Sequence, residues 1–359
     1  MDEGHEKTDK LLKELEKRLR ELYSTASSEV QKKLLDYWKR FIAKNKVKLN
    51  QREKKIVTPE VEGYARSRNI ELTNKVIDEY YSYWLKGQIA IGKRWENMRH
   101  TLAEDLHNVN NIAADMIEES NYDVYALNHN YGTYEIETRA IVNTSYTLYD
   151  RDTVKRLVKD NPDLLPTPRP ENRDVRWNEQ LFQSHLLQGI LQGESIPKIA
   201  KRVAMGTAQR DLDASIRNAR TATTGAENGG RVDSYKRCQD MGIEVYQIWL
   251  ATLDGRTRHS HRLLDGQKVA VGEKFANGCR YPGDPKGPGR EVWNCRCTLI
   301  ADVGGADYDL TNLANRNTDH FRDATYEEWK ASQGKPKHYN ESVKQYERRI
   351  YGEGNRQHR

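Results

Sequence analysis

The chain has 359 residues, 31% charged and 36% from the apolar set AVILMFWYC. Its 59 lysines and arginines nearly cancel 53 aspartates and glutamates, leaving +6, and 7 Trp, 20 Tyr and 4 Phe argue against a wholly disordered chain. No stretch approaches the ~18 apolar residues of a membrane span, and the start Met1-Asp2-Glu3-Gly4-His5 lacks the basic-then-apolar order of a signal peptide, so the expectation is a protein that is cytosolic at synthesis, with two or three structural units.

In chain order, Leu12, Leu15, Leu19 and Leu22 recur at helical spacing and predict an amphipathic helix over 6–23. Ser28 and Gln31 form a helix-start pair, and Val30, Leu34, Tyr37 and Phe41 predict a second helix from there. The basic run 44–48 reads as a solvated helix end. Thr58-Pro59-Glu60 predicts another start, with threonine as cap and proline in the first turn. From there to Tyr149 the pattern is mostly helical, and the cluster Tyr80, Tyr81, Tyr83, Trp84 reads as an aromatic seam between helices.

The segment from Asn161 to Pro170 holds four of the ten prolines and reads as an ordered crossing or a hinge. Helices resume over 175–192. Gly193 to Pro197 ends one and caps the next, which is predicted to stop near Met205. After Gly206 a long helix is predicted to Asp240, with Leu212, Ile216, Ala219, Thr223, Ala226 and Gly230 on one face, small enough for another helix to approach closely. Ile243 to Trp249 are strand formers. A turn at 253–256, a short helix through His261 to Leu264, an Asp265-Gly266 turn, a strand at 269–271, a glycine- and proline-rich loop at 277–289 and a closing strand at 297–303 follow. Short helices are predicted from Thr325 and over 341–351.

The predicted fold class is therefore mainly α, a long helical N-terminal region followed by a small α+β C-terminal domain. Its divisions are a helical region 1–160, a proline-rich connector 161–174, a helical part 175–241, a His/Cys-containing α+β part 242–303 and a polar helical tail 304–359. The charge is not spread evenly. Between Pro197 and Ile300 stand 18 basic and 11 acidic residues, a net +7, and the rest sums to −1. Arg217, Arg220, Arg231, Lys236 and Arg237 on the long helix are candidates for contact with DNA phosphates or an acidic partner, without base specificity. The alternative is that they pair with local carboxylates.

Asp254, His259 and His261, then Cys279, Cys295 and Cys297, form the most specific chemical pattern. Thiolates and imidazoles are the ligands a tetrahedral zinc takes, and a small unit with few apolar residues benefits from such a staple. Three readings stand side by side: a structural zinc on His261, Cys279, Cys295 and Cys297; a disulfide involving Cys279; or buried thiols. Cys238 reads as core. The order His, Asn, Cys-x-Cys has a loose likeness to His-Asn-His endonucleases, which keeps a metal-dependent nuclease or other effector as the alternative function. That fold, however, wants a histidine soon after, and none follows Cys297 until His320. No serine-nucleophile elbow and no phosphate-binding loop are present.

An ordered set of motifs carries a resemblance. It comprises Q-G-I-L-Q-G-E-S-I-P-K-I-A-K from Gln188 to Lys201, Ala219-Arg220-Thr221 with Asn228, and Trp249-x-Ala251-Thr252-Leu253-Asp254-x-Arg256-Thr257-Arg258-x-x-His261. Leu264-Asp265-Gly266, Tyr281-Pro282-Gly283-Asp284-Pro285 and Asn294-Cys295-Arg296-Cys297 complete it. Over roughly 180–303 the sequence resembles the Mu F-like, or head-morphogenesis, minor head proteins of tailed double-stranded DNA phages. One departure is that no acid closely follows Thr221; Glu227 comes later. The resemblance implies a noncatalytic minor capsid protein, present in few copies in the capsid interior near the portal and in the host cytoplasm during assembly. Its implied roles are procapsid assembly and DNA packaging or delivery, and its implied partners are portal, scaffold or major capsid protein and double-stranded DNA, with no membrane.

Overall fold

The computed structural model describes residues 2–52, 59–71, 73, 76, 79, 80, 86–140, 142, 144, 146–166, 169, 170, 172–304 and 325–333. Its helices are α1 (Glu3–Arg52), α2 (Pro59–Ser67), α3 (Lys93–Ala140), α4 (Arg151–Asp160), α5 (Asn172–Leu191), α6 (Ile196–Asp240), α7 (His259–Leu264), α8 (Gly289–Val292) and α9 (Tyr326–Ser332). The strands are β1 (Val245–Leu250), β2 (Lys268–Ala270) and β3 (Thr298–Val303). The fold is helical with a small antiparallel sheet, as the patterning predicts. The predicted helix over 341–351, and Tyr81, Tyr83 and Trp84, lie outside the described residues; Tyr80 meets Tyr64 edge-on at 5.4 Å. No helix among the described residues is long and apolar enough to cross a membrane.

The chain forms two compact units that interleave in sequence. The first comprises Met1–Tyr122, Pro162–Gly225 and Val292–Arg296; the second comprises Asp123–Asn161, Ala226–Glu291 and Cys297–Arg359. This division does not follow the sequential one expected from composition: α3 and α6 each contribute residues to both units, and 241/242 is no boundary.

In the first unit α1 is one helix, not two. Leu15, Leu19, Tyr23, Ala26, Val30, Leu34 and Trp38 are all buried at unbroken spacings of three and four, so nothing interrupts the stripe. Ser28 does not cap a second helix; its Oγ donates to the Ser24 carbonyl at 3.0 Å, the bond a mid-helix serine makes. The stripe packs on Leu102 and Leu106 of α3, Phe182 and Leu186 of α5 and Val203 of α6. Each such side chain, fully buried, stabilises by about 1.5–3 kcal/mol. A second cluster joins Leu15 and Leu19 to Ala113, Ile117, Leu212 and Ile216. Between them lies a polar knot. Tyr23 Oη donates to Asn110 at 2.6 Å, and Asn110 and Asn178 both donate to Asp211 at 3.0 Å.

The expected stop at Met205 is absent, because Gly206 serves packing and not termination. A Cβ there would lie 2.6 Å from His185 Nε2, and α6 continues through it. In the second unit the small face of α6 does what its composition predicts. A Cβ on Gly230 would lie 2.6 Å from the Tyr125 carbonyl oxygen and 3.1 Å from the His129 nitrogen, so α6 and α3 touch backbone to backbone.

Beside that contact His129 is enclosed. Its ring stacks on Tyr149 at 3.8 Å, Nδ1 is 2.6 Å from Tyr146 Oη and Nε2 is 3.5 Å from Asp233. Burial holds its pKa below the ordinary histidine value; Asp233 pulls the other way and Arg237 adds to the depression. Tyr131, Tyr146, Tyr326 and Trp329 form an aromatic cluster on which α9 docks. That helix starts with a capping box between Thr325 and Glu328, and Trp329 Nε1 donates to Glu137 at 2.7 Å.

The sheet order is β2-β1-β3, with Gln247 of β1 opposite Val269 of β2 and Ala301 of β3. Among the described residues, no further strand pairs with the outer edge of β3. Its polar groups are satisfied by helix side chains. Asn228 accepts from Leu299 N at 2.8 Å and donates to the Cys297 carbonyl at 3.2 Å; Arg231 donates to the Leu299 carbonyl at 2.7 Å. Arg139 of α3 donates to the Ala301 carbonyl. This covers an edge that would otherwise template pairing with another chain.

Two expectations follow. Gly230→Ala should lower stability by about 1–3 kcal/mol, the cost of overpacking a tight contact, and shift the urea midpoint down. Gly63→Ala, which meets nothing within 4 Å on α2, should stabilise by up to about 1 kcal/mol. Secondly, because folding depresses the His129 pKa, the unfolded chain takes up a proton that the folded one refuses once pH drops below ~6.5. The melting temperature should therefore fall between pH 7.5 and 5.5. His129→Gln should shrink that fall, while His185, which burial also holds low, still contributes to it and His100, held high by its bond to Glu179, opposes it; an undiminished fall would remove His129 from the account.

Candidate metal centre

The motif residues sit mostly on turns that deliver a few side chains inward. Leu264-Asp265-Gly266-Gln267 is a type II turn, with Gly266 at φ +76° and Gln267 N donating to the Leu264 carbonyl at 2.8 Å. Asp265 Oδ1 accepts from Ala251 N at 2.8 Å, tying the turn to the end of β1. Tyr281-Pro282-Gly283-Asp284 repeats that chemistry, with Gly283 at φ +77° and Asp284 N bonded to the Tyr281 carbonyl. Asp284 is buried, which alone would raise its pKa. The Arg280 side chain, in two contacts at 2.9 and 2.6 Å, and the Arg280 and Lys286 amides outweigh burial and hold it below the ordinary value. Asp254 caps its own turn, accepting from Arg256 N at 2.9 Å. Arg258 is the residue before α7, which carries His261 into the interior.

At Asn294 the backbone turns left-handed, φ +55°, and its N–H donates to Thr221 Oγ1 of α6 at 3.0 Å. The next carbonyl, of Cys295, accepts from Thr224 Oγ1 at 2.7 Å. These bonds present Cys295 and Cys297, both buried, on either side of Arg296.

His261 Nδ1 lies 3.4 Å from Cys297 Sγ. Its Nε2 lies 3.1 Å from Glu291 Oε2, an ion-pair distance, and Ser260 Oγ donates to that oxygen at 2.8 Å. The Trp249 ring stands edge-on to the imidazole at 5.3 Å and to Phe275 at 5.1 Å. His261, Cys295 and Cys297 each offer one ligand atom, all within 4.8 Å of one another. Cys279 does not join them. It is buried in the 275–279 turn, and burial, with Asp284 and Glu291 nearby, pushes its thiol up to about 12. Of the four donors expected from the sequence, the structure brings three together. All four cysteines are free thiols, so no disulfide involves Cys279, and Cys238 is buried on α6 as expected.

Sequence reading missed Glu291; its signal was a lone acid four residues before the Cys-x-Cys pair. It also undervalued Glu227, which is buried, accepts from Thr298 Oγ1 at 2.6 Å and faces Arg231 at 3.8 Å.

The five basic candidates do not form one open stripe. Arg217 and Lys236 are exposed. Arg220 pairs with Glu16 at 2.6 Å, and Arg237 lies over the Tyr146 ring at 4.7 Å. Arg231 corrects the expectation outright: it is fully buried, bonded to Leu299 and Asn128 and placed over Tyr131, so no phosphate can reach it. Local pairing, the alternative for these residues, holds for Arg220 and Arg231.

The motif at 188–201 has a packing role. A Cβ on Gly189 would lie 2.9 Å from Ile199 Cγ1, and Glu194 binds Arg202 at 2.7 Å across the α5–α6 hairpin.

Comparison with known proteins places these features. The model of the family described as Phage Mu protein F like protein matches residues 180–300. The minor head protein GP7 of Bacillus phage SPP1 is 27% identical over 271 residues, covering 73% of this chain and 82% of that protein. The NAD(+)--arginine ADP-ribosyltransferase EFV of Enterococcus faecalis is 28% identical over 214 residues, 57% of this chain; the chain spans only 43% of the length of that relative. No solved structure matches significantly. The segment that carries the α5–α6 hairpin, the sheet and the His/Cys cluster is therefore the part of the chain that is similar to the Phage Mu protein F like family, and the similarity to a minor head protein extends beyond it.

Proposed function

We propose that the protein is a noncatalytic minor head protein of a tailed double-stranded DNA phage or prophage, acting in head morphogenesis. The observation that carries this is the joint match: the Mu F-like segment together with alignment over 82% of the length of a minor head protein. The residues support a scaffold role, since Asp254, Asp265, Gly266, Gly283 and Asn294 all serve turns or backbone anchoring. The finer reading is a component of the capsid interior near the portal, contacting portal, scaffold or major capsid protein. Exposed Arg217 and Lys236, within a segment of net +7, are the groups available to packaged DNA.

The test is co-expression of the full chain with the portal protein encoded beside it, followed by affinity capture, and mass spectrometry of purified heads. Capture and presence in heads are expected; absence from both would overturn the reading. Because the units interleave, the full chain is used and not halves. DNA affinity should fall steeply with salt. Arg217→Glu/Lys236→Glu should reduce the log–log salt slope by up to about 2, roughly 0.9 for each phosphate that these two side chains neutralise; no binding at low salt would remove DNA as a partner. Cleavage of supercoiled DNA with magnesium, manganese or zinc, or transfer from NAD+ to an arginine acceptor, would overturn the noncatalytic assignment.

A further inference from the structure

The cluster around His261 has the geometry of a ligand set. A tetrahedral metal bonded to a thiolate at ~2.3 Å and an imidazole nitrogen at ~2.0 Å would hold those two atoms about 3.5 Å apart; Cys297 Sγ and His261 Nδ1 are 3.4 Å apart. Cys295, two residues earlier on the same turn, brings a third donor within 4.8 Å of both. All three residues are buried.

The far side of the ring matters as much. Metal-bound histidines characteristically direct their other nitrogen at a carboxylate, which fixes the ring and raises its basicity. Here Nε2 is at ion-pair distance from Glu291, 3.1 Å but outside hydrogen-bond geometry, Ser260 donates to the same carboxylate, and the Trp249 ring packs against the imidazole at 5.3 Å. Charge also balances: two thiolates and a neutral imidazole cancel a divalent cation, and the remaining Glu291 charge is met by Arg290 at 3.4 Å.

We propose that the protein binds one zinc-class divalent cation through His261 Nδ1, Cys295 Sγ and Cys297 Sγ, with Glu291 as the positioning carboxylate. Metal loading exchanges the two thiol protons for the cation, with no oxidation. The role is that of a staple between α7 and the Cys-x-Cys turn, and it does not depend on the head-protein assignment.

The test uses the full chain purified without chelator from zinc-supplemented cells. Elemental analysis should find about one zinc per chain, retained in Cys279→Ser and reduced at least tenfold in Cys295→Ser/Cys297→Ser. Replacement by cobalt(II) should give the intense thiolate-to-metal absorption of a tetrahedral site. Glu291→Gln should still take up one zinc at saturation, with affinity weakened about 10–100-fold. A wild-type chain with no zinc and no cobalt–thiolate band would show that the 3.4 Å contact is only a thiol–imidazole hydrogen bond, and would overturn the proposal. So would zinc retained in the double variant. If that variant does not fold, the cobalt spectrum of the wild-type chain decides.

Discussion

One polar face of α6 organises the segment from Asn294 to Leu299. Thr221, Thr224, Asn228 and Arg231, spaced by three and four residues, take up the Asn294 amide, the Cys295 carbonyl, the Cys297 carbonyl with the Leu299 amide, and the Leu299 carbonyl. A helix here does for a strand edge what a neighbouring strand usually does. Backbone groups buried without partners cost free energy comparable to a missing hydrogen bond, so this face must carry polar residues of fixed length at fixed spacing. Arg231 and Glu227 are the extreme members. Each would be costly to bury alone, and together with Asn128, Thr298 and the Tyr131 ring they form a satisfied set.

The same constraint explains why much of the family pattern is structural. Trp249 walls the imidazole, Asp265 and Gly266 close the turn beside β1, and Pro282 and Gly283 set the geometry that seats Asp284. Residues of these types, met in sequence, look like chemistry. In place, most of them fix backbone. What remains after that subtraction is a small donor group, two thiols and an imidazole backed by a carboxylate.

Much of the secondary structure was legible because its signal is local. The stripe of α1, the small face of α6 and the alternating strand β1 follow from periodicity alone. The errors share a cause: a local signal has more than one use. Ser28 bonds back within its helix instead of starting one, and Gly206 accommodates His185 instead of ending α6. Cys279 looked like a fourth ligand because its type fits, while its turn holds it apart from the other three. Arg231 looked like surface charge because arginine usually is, and only the tertiary structure supplies the carbonyl, amide and ring that allow its burial. Composition changes at 241/242, whereas one compact unit runs across it from Ala226 to Glu291.

The interleaving has a consequence for what the recognisable segment is. Residues 180–300 match a family model, yet some of their tightest contacts are made with residues outside that segment. Asn128 and Tyr131 of α3, which complete the environment of Arg231, lie outside them. So do Tyr125 and His129, against whose backbone Gly230 is closed. Grafted into another chain, this segment would leave Arg231 and the face at Gly230 without these partners unless a helix like α3 met them there.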